Sequence, residues 1–140
     1  MPVAVAAVSA PLSDTLLQDL PRVYADYPVF SPEAAVEVLQ RGLAAGGTLY
    51  TGFFNARHIA AVLVVGEGEV RGMRYLSVHP ATRGRGVAER LVAEVRRLEA
   101  ERGSQWLEAD FDLAQEGIPD MLLAMGFIPH GEGNYRCRLS

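Results

Sequence analysis

The sequence predicts a mixed α/β domain of the α+β type, in which helices pack on a largely antiparallel sheet. Runs rich in β-branched residues are separated by short, glycine-containing turns, and they alternate with segments whose apolar residues recur at helical spacing. The 140 residues suit a single domain, and the apolar fraction of 49% is enough to build one core.

The first half of the chain predicts a strand, two helices and a three-strand meander. Ser13 can cap a helix from Asp14 to about Leu20, where Pro21 is expected to interrupt it. A second helix is capped by Ser31 and has a first-turn proline. It should end at Gly46-Gly47. The predicted strands are Val3–Ser9, Thr48–Phe54, Ile59–Val65 and Val70–Val78, with turns at Asn55-Ala56-Arg57 and Gly66–Glu69.

The second half begins with a change to helical period. Apolar residues recur at Val87, Leu91, Val95 and Leu98, which predicts a long helix over Arg83–Arg102. The remaining predicted elements are a strand Trp106–Phe111, a short helix Ile118–Met125, and a last hairpin of Phe127–Pro129 with Tyr135–Leu139.

Composition excludes several classes of site. The net charge is -4 and the pI about 5.3, which argues against nucleic acid as the main partner. All 13 basic residues are arginine, so no lysine can form a Schiff base. The single cysteine, Cys137, excludes an internal disulfide and a cysteine-cluster zinc site, and is expected to be a packing residue. No apolar run is long enough for a membrane span and no signal-peptide pattern is present, so a cytoplasmic protein is predicted.

The most informative segment runs from a strand through a turn into the long helix. Its sequence, residues 76–91, places Gly84 and Gly86 where the helix should begin. Glycine is unfavourable in a helix, but it lets an anion approach the free N–H groups of the first turn. The segment therefore suits a pyrophosphate, although an ordinary flexible strand-to-helix loop is the alternative. No lysine follows, so it is not a Walker loop, and its spacing is wrong for the dinucleotide fingerprint.

This segment also resembles the acetyl-CoA signature of the GNAT superfamily of N-acetyltransferases. The signature residues fall on Arg83, Gly86 and Ala88, and Ala124–Phe127 resembles the superfamily's usual helix end. The resemblance implies a GNAT fold, a mixed and mostly antiparallel sheet with helices on both faces. It also implies an acetyl-CoA site: the thioester carbonyl would lie near the N–H of Val78, and Leu76, Ser77 and Val78 would pair with the pantetheine arm. Main-chain amides of Arg83, Gly84, Arg85, Gly86, Val87, Ala88 and Glu89 would hold the pyrophosphate.

The catalytic groups usual in that superfamily are not matched. Many of its members have an acid on the strand before the loop and a tyrosine before the Gly-Phe pair. Here Val70–Val78 contains no carboxylate, and Leu122 stands at the tyrosine position. Whether the protein is an enzyme stays open at this stage, and no catalytic residue is assigned. The substitute candidates are Glu108, Asp110 and Tyr135, with His79 and His130 as further groups that could reach a site.

Residues from about Asp19 to Tyr135 resemble a narrower group, the PanZ (PanM) family of small GNAT-fold proteins. The stretches that carry the likeness are residues 19–27 with Ser31-Pro32, residues 54–57 followed by residues 60–62, and Trp106 with Ala109-Asp110. That family binds acetyl-CoA and the aspartate decarboxylase proenzyme, whose self-cleavage it promotes. Asn55 matches an asparagine that contacts this partner, whereas Phe53 replaces the family's nearby arginine; Asn55 as a simple turn former is the alternative.

Two functions follow as hypotheses. The first is an acetyl-CoA sensor that docks on the decarboxylase proenzyme, and the second is a working N-acetyltransferase for a small amine or a peptide amine. The missing acid and base favour the first, because positioning without proton transfer forfeits roughly a hundredfold in rate.

Overall fold

The computed structural model describes residues 2–110, 117–131 and 133–139. Within these residues the chain forms one seven-stranded sheet and four α-helices. The strands are β1 Ala4–Val8, β2 Thr48–Phe54, β3 Arg57–Val65, β4 Val70–Val78, β5 Trp106–Asp110, β6 Ile128–Pro129 and β7 Asn134–Arg138. The helices are α1 Asp14–Val23, α2 Ala35–Ala44, α3 Val87–Arg102 and α4 Ile118–Ala124, with short 3-10 turns at Pro32–Ala34 and Pro80–Thr82.

The sheet has the order β1-β2-β3-β4-β5-β7-β6. Every strand pair is antiparallel except β4 with β5, which confirms the predicted mixed, mostly antiparallel sheet. Among the described residues, the parallel pairing runs from Val70 opposite Trp106 to Met73 opposite Ala109. Among the described residues, the second half of β4 therefore has a strand partner only on its β3 side, and we call the space on its other side the gap beside β4.

Helices cover both faces of the sheet, as predicted. Side chains of α3 and α4, including Leu91 and Leu122, pack with Val62 and Leu107 into one core. Side chains of α1 and α2, including Leu16 and Leu39, pack on the other face with Ala61 and Leu63. Because successive strand residues point to opposite faces, Ala61 and Val62 belong to different cores.

Pro21 does not interrupt α1, so that prediction was wrong. The helix continues to Val23, with Pro21 inside it. Leu16, Leu20 and Val23 are all buried in the second core, and this continuous apolar stripe stabilises the last turn. Proline removes one hydrogen bond from that turn, but burial of these side chains outweighs the loss.

The long helix begins later than predicted, at Val87 rather than Arg83. Residues 80–82 form a 3-10 turn, and Gly84 and Gly86 both have a φ of 77°. A left-handed residue cannot belong to a right-handed helix, so the two glycines form a loop that leads into it. The predicted end of the strand at Phe111 lies outside the described residues.

A β-bulge bends β4 where its pairing with β5 has just ended. Ala61 pairs with Ser77 and Leu63 with Arg74, so Tyr75 and Leu76 together face the single residue Val62. Tyr75 adopts a φ of 58°, a left-handed conformation that a bulky side chain rarely takes. An extra residue of this kind increases the local twist of the strand.

At the other end of β4 from the bulge, an ion pair between β4 and α3 is fully buried. The guanidinium of Arg71 donates to the carboxylate of Glu99 at 3.1 Å, and both side chains have no exposed area. Tyr50 and Ser104 also donate to Glu99, at 2.5 and 2.8 Å. Burial alone would raise the pKa of Glu99, but these hydrogen bonds outweigh it and the pKa is lowered. Burial raises the pKa of Tyr50.

Among the described residues, no helix has the length and apolar character needed to cross a membrane.

Candidate functional site

The start of α3 presents main-chain N–H groups at an open loop. Gly84 and Gly86 are exposed, and a Cβ built on either would meet nothing within 4 Å. Gly86 is the N-cap residue, and no side chain caps the helix there. The first hydrogen bond of the helix runs from Arg90 N–H to Gly86 C=O. The N–H groups of the three preceding helical residues have no acceptor within the helix, and they add to the positive end of its dipole.

The side chain of Arg83 holds this loop in place. Its guanidinium donates to the carbonyl of Val78 at 3.1 and 3.0 Å, and also to both carboxylate oxygens of Asp26. These hydrogen bonds lower the pKa of Asp26 and raise the pKa of Arg83. The arginine of the signature therefore anchors the loop to β4 and to the segment after α1, and the main-chain amides that follow it are the candidate anion-binding groups.

A cavity of about 300 Å³ opens directly over these amides. One wall is formed by the loop and the first turn of α3, and the opposite wall by the beginning of α4. Its lining includes Val78, Arg83, Gly84, Gly86, Val87, Ala88 and Glu89 from the predicted set, together with Gly117, Ile118 and Met121. The cavity therefore joins the start of α3 to the end of β4.

The end of β4 also turns main-chain groups toward the gap. The N–H of His79 donates to the carbonyl of Ile59 on β3, at 2.7 Å. Because main-chain groups alternate in direction along a strand, the N–H and C=O of Val78 point the other way, toward the side from which β5 has diverged. The carbonyl of Val78 accepts from Arg83, and its N–H faces the gap.

Two further hydrogen bonds fix the bulged part of β4 against the end of α1. The buried hydroxyl of Tyr24 donates to the carbonyl of Tyr75 at 2.5 Å, and burial raises the pKa of Tyr24. The buried hydroxyl of Ser77 donates to the carbonyl of Val23 at 2.7 Å. Leu76, Ser77 and Val78 are all buried, so residues 76–78 offer backbone rather than side chains to the gap.

Among the candidate acids and bases with described side chains, neither Glu108 nor Tyr135 lines the cavity. Glu108 is half-buried on β5 and lies opposite Gly72, where β4 and β5 are still paired. Its carboxylate accepts from Arg136 at 2.8 Å and lies 3.9 Å from the ring of His130. Asp110 ends β5 opposite Asn134. Tyr135 lies on β7 opposite Ala109 and packs against the first core.

The other singled-out side chains have structural contacts. His79 Nδ1 accepts from the N–H of Ala81 at 3.0 Å, which stabilises the turn before the glycine loop. Cys137 is buried in the first core, in accord with the packing role expected for it. Leu122, at the position of the usual tyrosine, is completely buried in the same core.

Asn55 lies at the tip of the β2–β3 hairpin, next to a second cavity. Asn55 and Ala56 have φ values of 51° and 63°, the pattern of a two-residue type I′ turn. The adjoining cavity has a volume of about 320 Å³ and includes Asp19, Arg57 and His58 in its lining. Asp19 accepts from Arg57 at 3.2 Å and from the N–H of His58 at 2.9 Å. Burial lowers the pKa of His58.

Sequence reasoning missed the residues that hold the site together. Tyr24 and Asp26 lie more than 50 positions before the β4 carbonyl and the arginine that they contact. No local spacing pattern joins such distant residues. The nearest signal was the likeness of residues 19–27 to the PanZ family, which singled out this segment without giving its role.

Comparison with known families decides the classification. The family described as "Acetyltransferase (GNAT) domain, PanZ" matches residues 3–135. The chain belongs to the PanZ family of GNAT domains. This match confirms the resemblance seen in the sequence. None of the curated proteins matches this PanZ-family chain.

Solved structures of low sequence identity share the fold. Ribosomal-protein-S18-alanine N-acetyltransferase from Escherichia coli is 13% identical with a TM-score of 0.76, covering 98% of this chain and 95% of that one. An aminoglycoside 6'-N-acetyltransferase complexed with coenzyme A is 11% identical with a TM-score of 0.77, covering 98% and 97%. A GNAT family acetyltransferase from Brucella melitensis in complex with acetyl-CoA is 14% identical with a TM-score of 0.70, covering 98% and 89%.

Proposed function

We propose that this protein binds acetyl-CoA, with the pyrophosphate on the amides of residues 83–89 and the pantetheine arm along residues 76–78. The observation that carries the proposal is the uncapped start of α3, which opens into the cavity of about 300 Å³ through two left-handed glycines. Helix N-termini of this kind bind phosphate groups through main-chain donors and the helix dipole.

The gap beside β4 supports the same ligand. A pantetheine arm carries amide groups, which can pair with exposed strand backbone as an added strand does. The N–H of Val78 faces this gap, and a thioester carbonyl is the group that would accept from it at the end of the arm. Structural relatives that were crystallised with coenzyme A or acetyl-CoA lend support through their shared fold.

We further propose that the acetyl-CoA complex binds the aspartate decarboxylase proenzyme and promotes its self-cleavage, in the cytoplasm. Membership of the PanZ family motivates this partner. Asn55 would contribute to the contact, because it is exposed at the tip of the β2–β3 hairpin. Two observations favour a binding role over catalysis. The carboxylate of Glu108 already forms an ion pair with Arg136, and Leu122, at the position of the usual tyrosine, has no proton to donate.

The second candidate function is acetyl transfer to a small amine or a peptide amine. One observation favours it: the N–H of Val78 is directed at the gap, as a donor to a developing oxyanion must be. Under this alternative, proton transfer would fall to water or to Glu108, Asp110 or Tyr135.

The experiment combines calorimetry with a cleavage assay. Acetyl-CoA is titrated into the protein, which is then mixed with the proenzyme with and without acetyl-CoA, while co-elution and self-cleavage are followed. Saturable binding, with a complex that forms only when acetyl-CoA is present, supports both parts of the proposal. Absence of heat and of any complex refutes both, whereas binding without a complex retains the acetyl-CoA site and rejects the partner. Release of free thiol over a panel of amines would establish the second function instead.

A further inference from the structure

One face of β5 and β7 is left without a covering helix in the part of the chain that the structure describes. Leu107 and Ala109 belong to the first core, so Trp106 and Glu108 project from the opposite face. That opposite face is covered by α1 and α2 over β2 and β3, and the second core contains no side chain from β5, β6 or β7 among the described residues. We call the uncovered part the open face; its side chains include Trp106, Glu108, Ile128, Arg136 and Arg138, and Arg74 lies at its border with α2.

The centre of the open face is a tryptophan between two arginines. The guanidinium carbons of Arg136 and Arg138 lie 4.5 and 5.4 Å from the centre of the Trp106 ring. Stacking on an indole holds a guanidinium by cation–π attraction and restricts its motion. Arg136 also donates to Glu108 at 2.8 Å, while its Nε is buried with no hydrogen-bond partner among the described residues. The arrangement therefore keeps donors oriented.

Arg74, on the neighbouring strand β4, extends the positive charge at the edge of the open face. A Cβ built on Gly72 would come within 2.9 Å of Nη1 of Arg74, so the guanidinium lies over the glycine. Gly72 is the register partner of Glu108, and this places Arg74 at the edge of the open face. The described side chains of this face and its edge thus carry three guanidinium groups and one carboxylate, on a chain whose net charge is -4.

Exposed apolar groups border the charged centre. Ile128 is 56% exposed beside Arg136, and Val70 is 41% exposed beside Trp106. A surface with a rigid aromatic plane, fixed guanidinium forks and apolar edges suits a ligand that carries several carboxylates on a chain with some apolar character. We propose that the open face docks an acidic segment of a partner protein. The proposal is independent of acetyl-CoA binding and concerns strands other than those of the Asn55 hairpin.

The test uses Trp106, the only tryptophan of the sequence, as the reporter. An oligoglutamate peptide is titrated into the full chain while tryptophan fluorescence is recorded, with an oligoserine peptide of equal length as the control ligand. We expect the acidic peptide to change the emission saturably, and added salt to weaken its binding. An oligoserine peptide that binds equally well, or no change with either peptide, would overturn the proposal.

Two matched double variants test whether binding of the acidic peptide depends on the open face or only on the overall charge of the protein. R74Q/R138Q removes two exposed cations of this face and its edge, and R97Q/R102Q removes two from α3. We expect the first to weaken binding by roughly threefold to thirtyfold and the second to change it less than about twofold. Equal weakening by both pairs would refute a specific surface. An oligothymidine strand that binds more tightly than the acidic peptide would replace the protein partner with nucleic acid.

Discussion

Replacement of Gly86 by glutamate tests the proposed acetyl-CoA site most directly. Gly86 has a φ of 77° and its Cβ direction is open, so a new side chain would meet no protein atom within 4 Å. The fold would tolerate it at the cost of left-handed strain, about 1–2 kcal/mol for a residue with a Cβ. The carboxylate would stand at the mouth of the cavity, where the pyrophosphate is expected.

The effect on binding is expected to exceed the effect on stability. Blocking the helix start removes at least two hydrogen bonds to a charged group, each worth about 1.5–3 kcal/mol. The lost free energy is then about 3–6 kcal/mol, which corresponds to roughly two to four decades in Kd. Repulsion between the carboxylate and the phosphates adds to this loss, and high salt would reduce that part.

Gly103 supplies the matched control, because it ends the same helix. Its φ is 108° and its Cβ direction is equally open, but it lies at the other terminus of α3. G86E and G103E should lose similar free energies of unfolding in urea, while only G86E should lose acetyl-CoA affinity by calorimetry. Unchanged affinity in G86E, or an equal loss in G103E, would refute the assignment of the pyrophosphate to this loop.

Three further predictions concern stability. Ala56→Gly should raise the free energy of unfolding by roughly 0.5–1 kcal/mol, since Ala56 has a φ of 63°. Arg71→Met should lower it by about 3–5 kcal/mol, because the carboxylate of Glu99 would stay buried without its cation. Glu99→Gln should flatten the acid limb of the stability curve: the lowered pKa of Glu99 stabilises the fold above pH 4.5, its ordinary value, and that contribution is lost as the pH falls. Urea unfolding at several pH values measures all three.

Each stability prediction has its own comparison. Ala93→Gly, at an exposed position inside α3, should destabilise by about 1 kcal/mol, and the same sign at Ala56 would contradict the left-handed turn. Arg97→Met removes an exposed cation and should cost well under about 1 kcal/mol. An R71M loss as small as this would mean that the buried pair contributes little. An acid limb in E99Q as steep as in the native chain would exclude Glu99 as a source of the pH dependence.

The sequence predicted the elements of this fold well, because most of them are defined by local patterns. Alternation and turn residues gave the meander from Thr48 to Val78, and helical spacing gave the core side of α3. The start of α3 and the end of α1 were misplaced for opposite reasons. The left-handed glycines move the start of α3 to Val87. Burial of Val23 in the second core allows α1 to continue past Pro21.

Features that depend on distant residues were not predictable in this way. The parallel pairing of β4 with β5 and the insertion of β7 between β5 and β6 join segments far apart in sequence. The left-handed Tyr75 in the bulge follows no turn signature, and it is stabilised by Tyr24, 51 residues away. The sequence could suggest a cofactor site because the proposed chemistry uses main-chain groups within one short segment, whereas the distant residues that support this segment left no local signal.

Among the described residues, β4 has no strand partner on its β5 side after Met73, and this affects which ligands the gap beside β4 can hold. Any ligand that fills this space covers main-chain N–H and C=O groups of β4 that water would otherwise solvate. A pure hydrocarbon ligand would remove water from these groups without replacing their hydrogen bonds, which costs about 1–3 kcal/mol for each group. A ligand with amides spaced along its length would form hydrogen bonds with these groups, as a neighbouring strand does. Under the proposed function, this part of the sheet would select acetyl-CoA by the amides of its pantetheine arm, before any contact with the nucleotide or with the acetyl group.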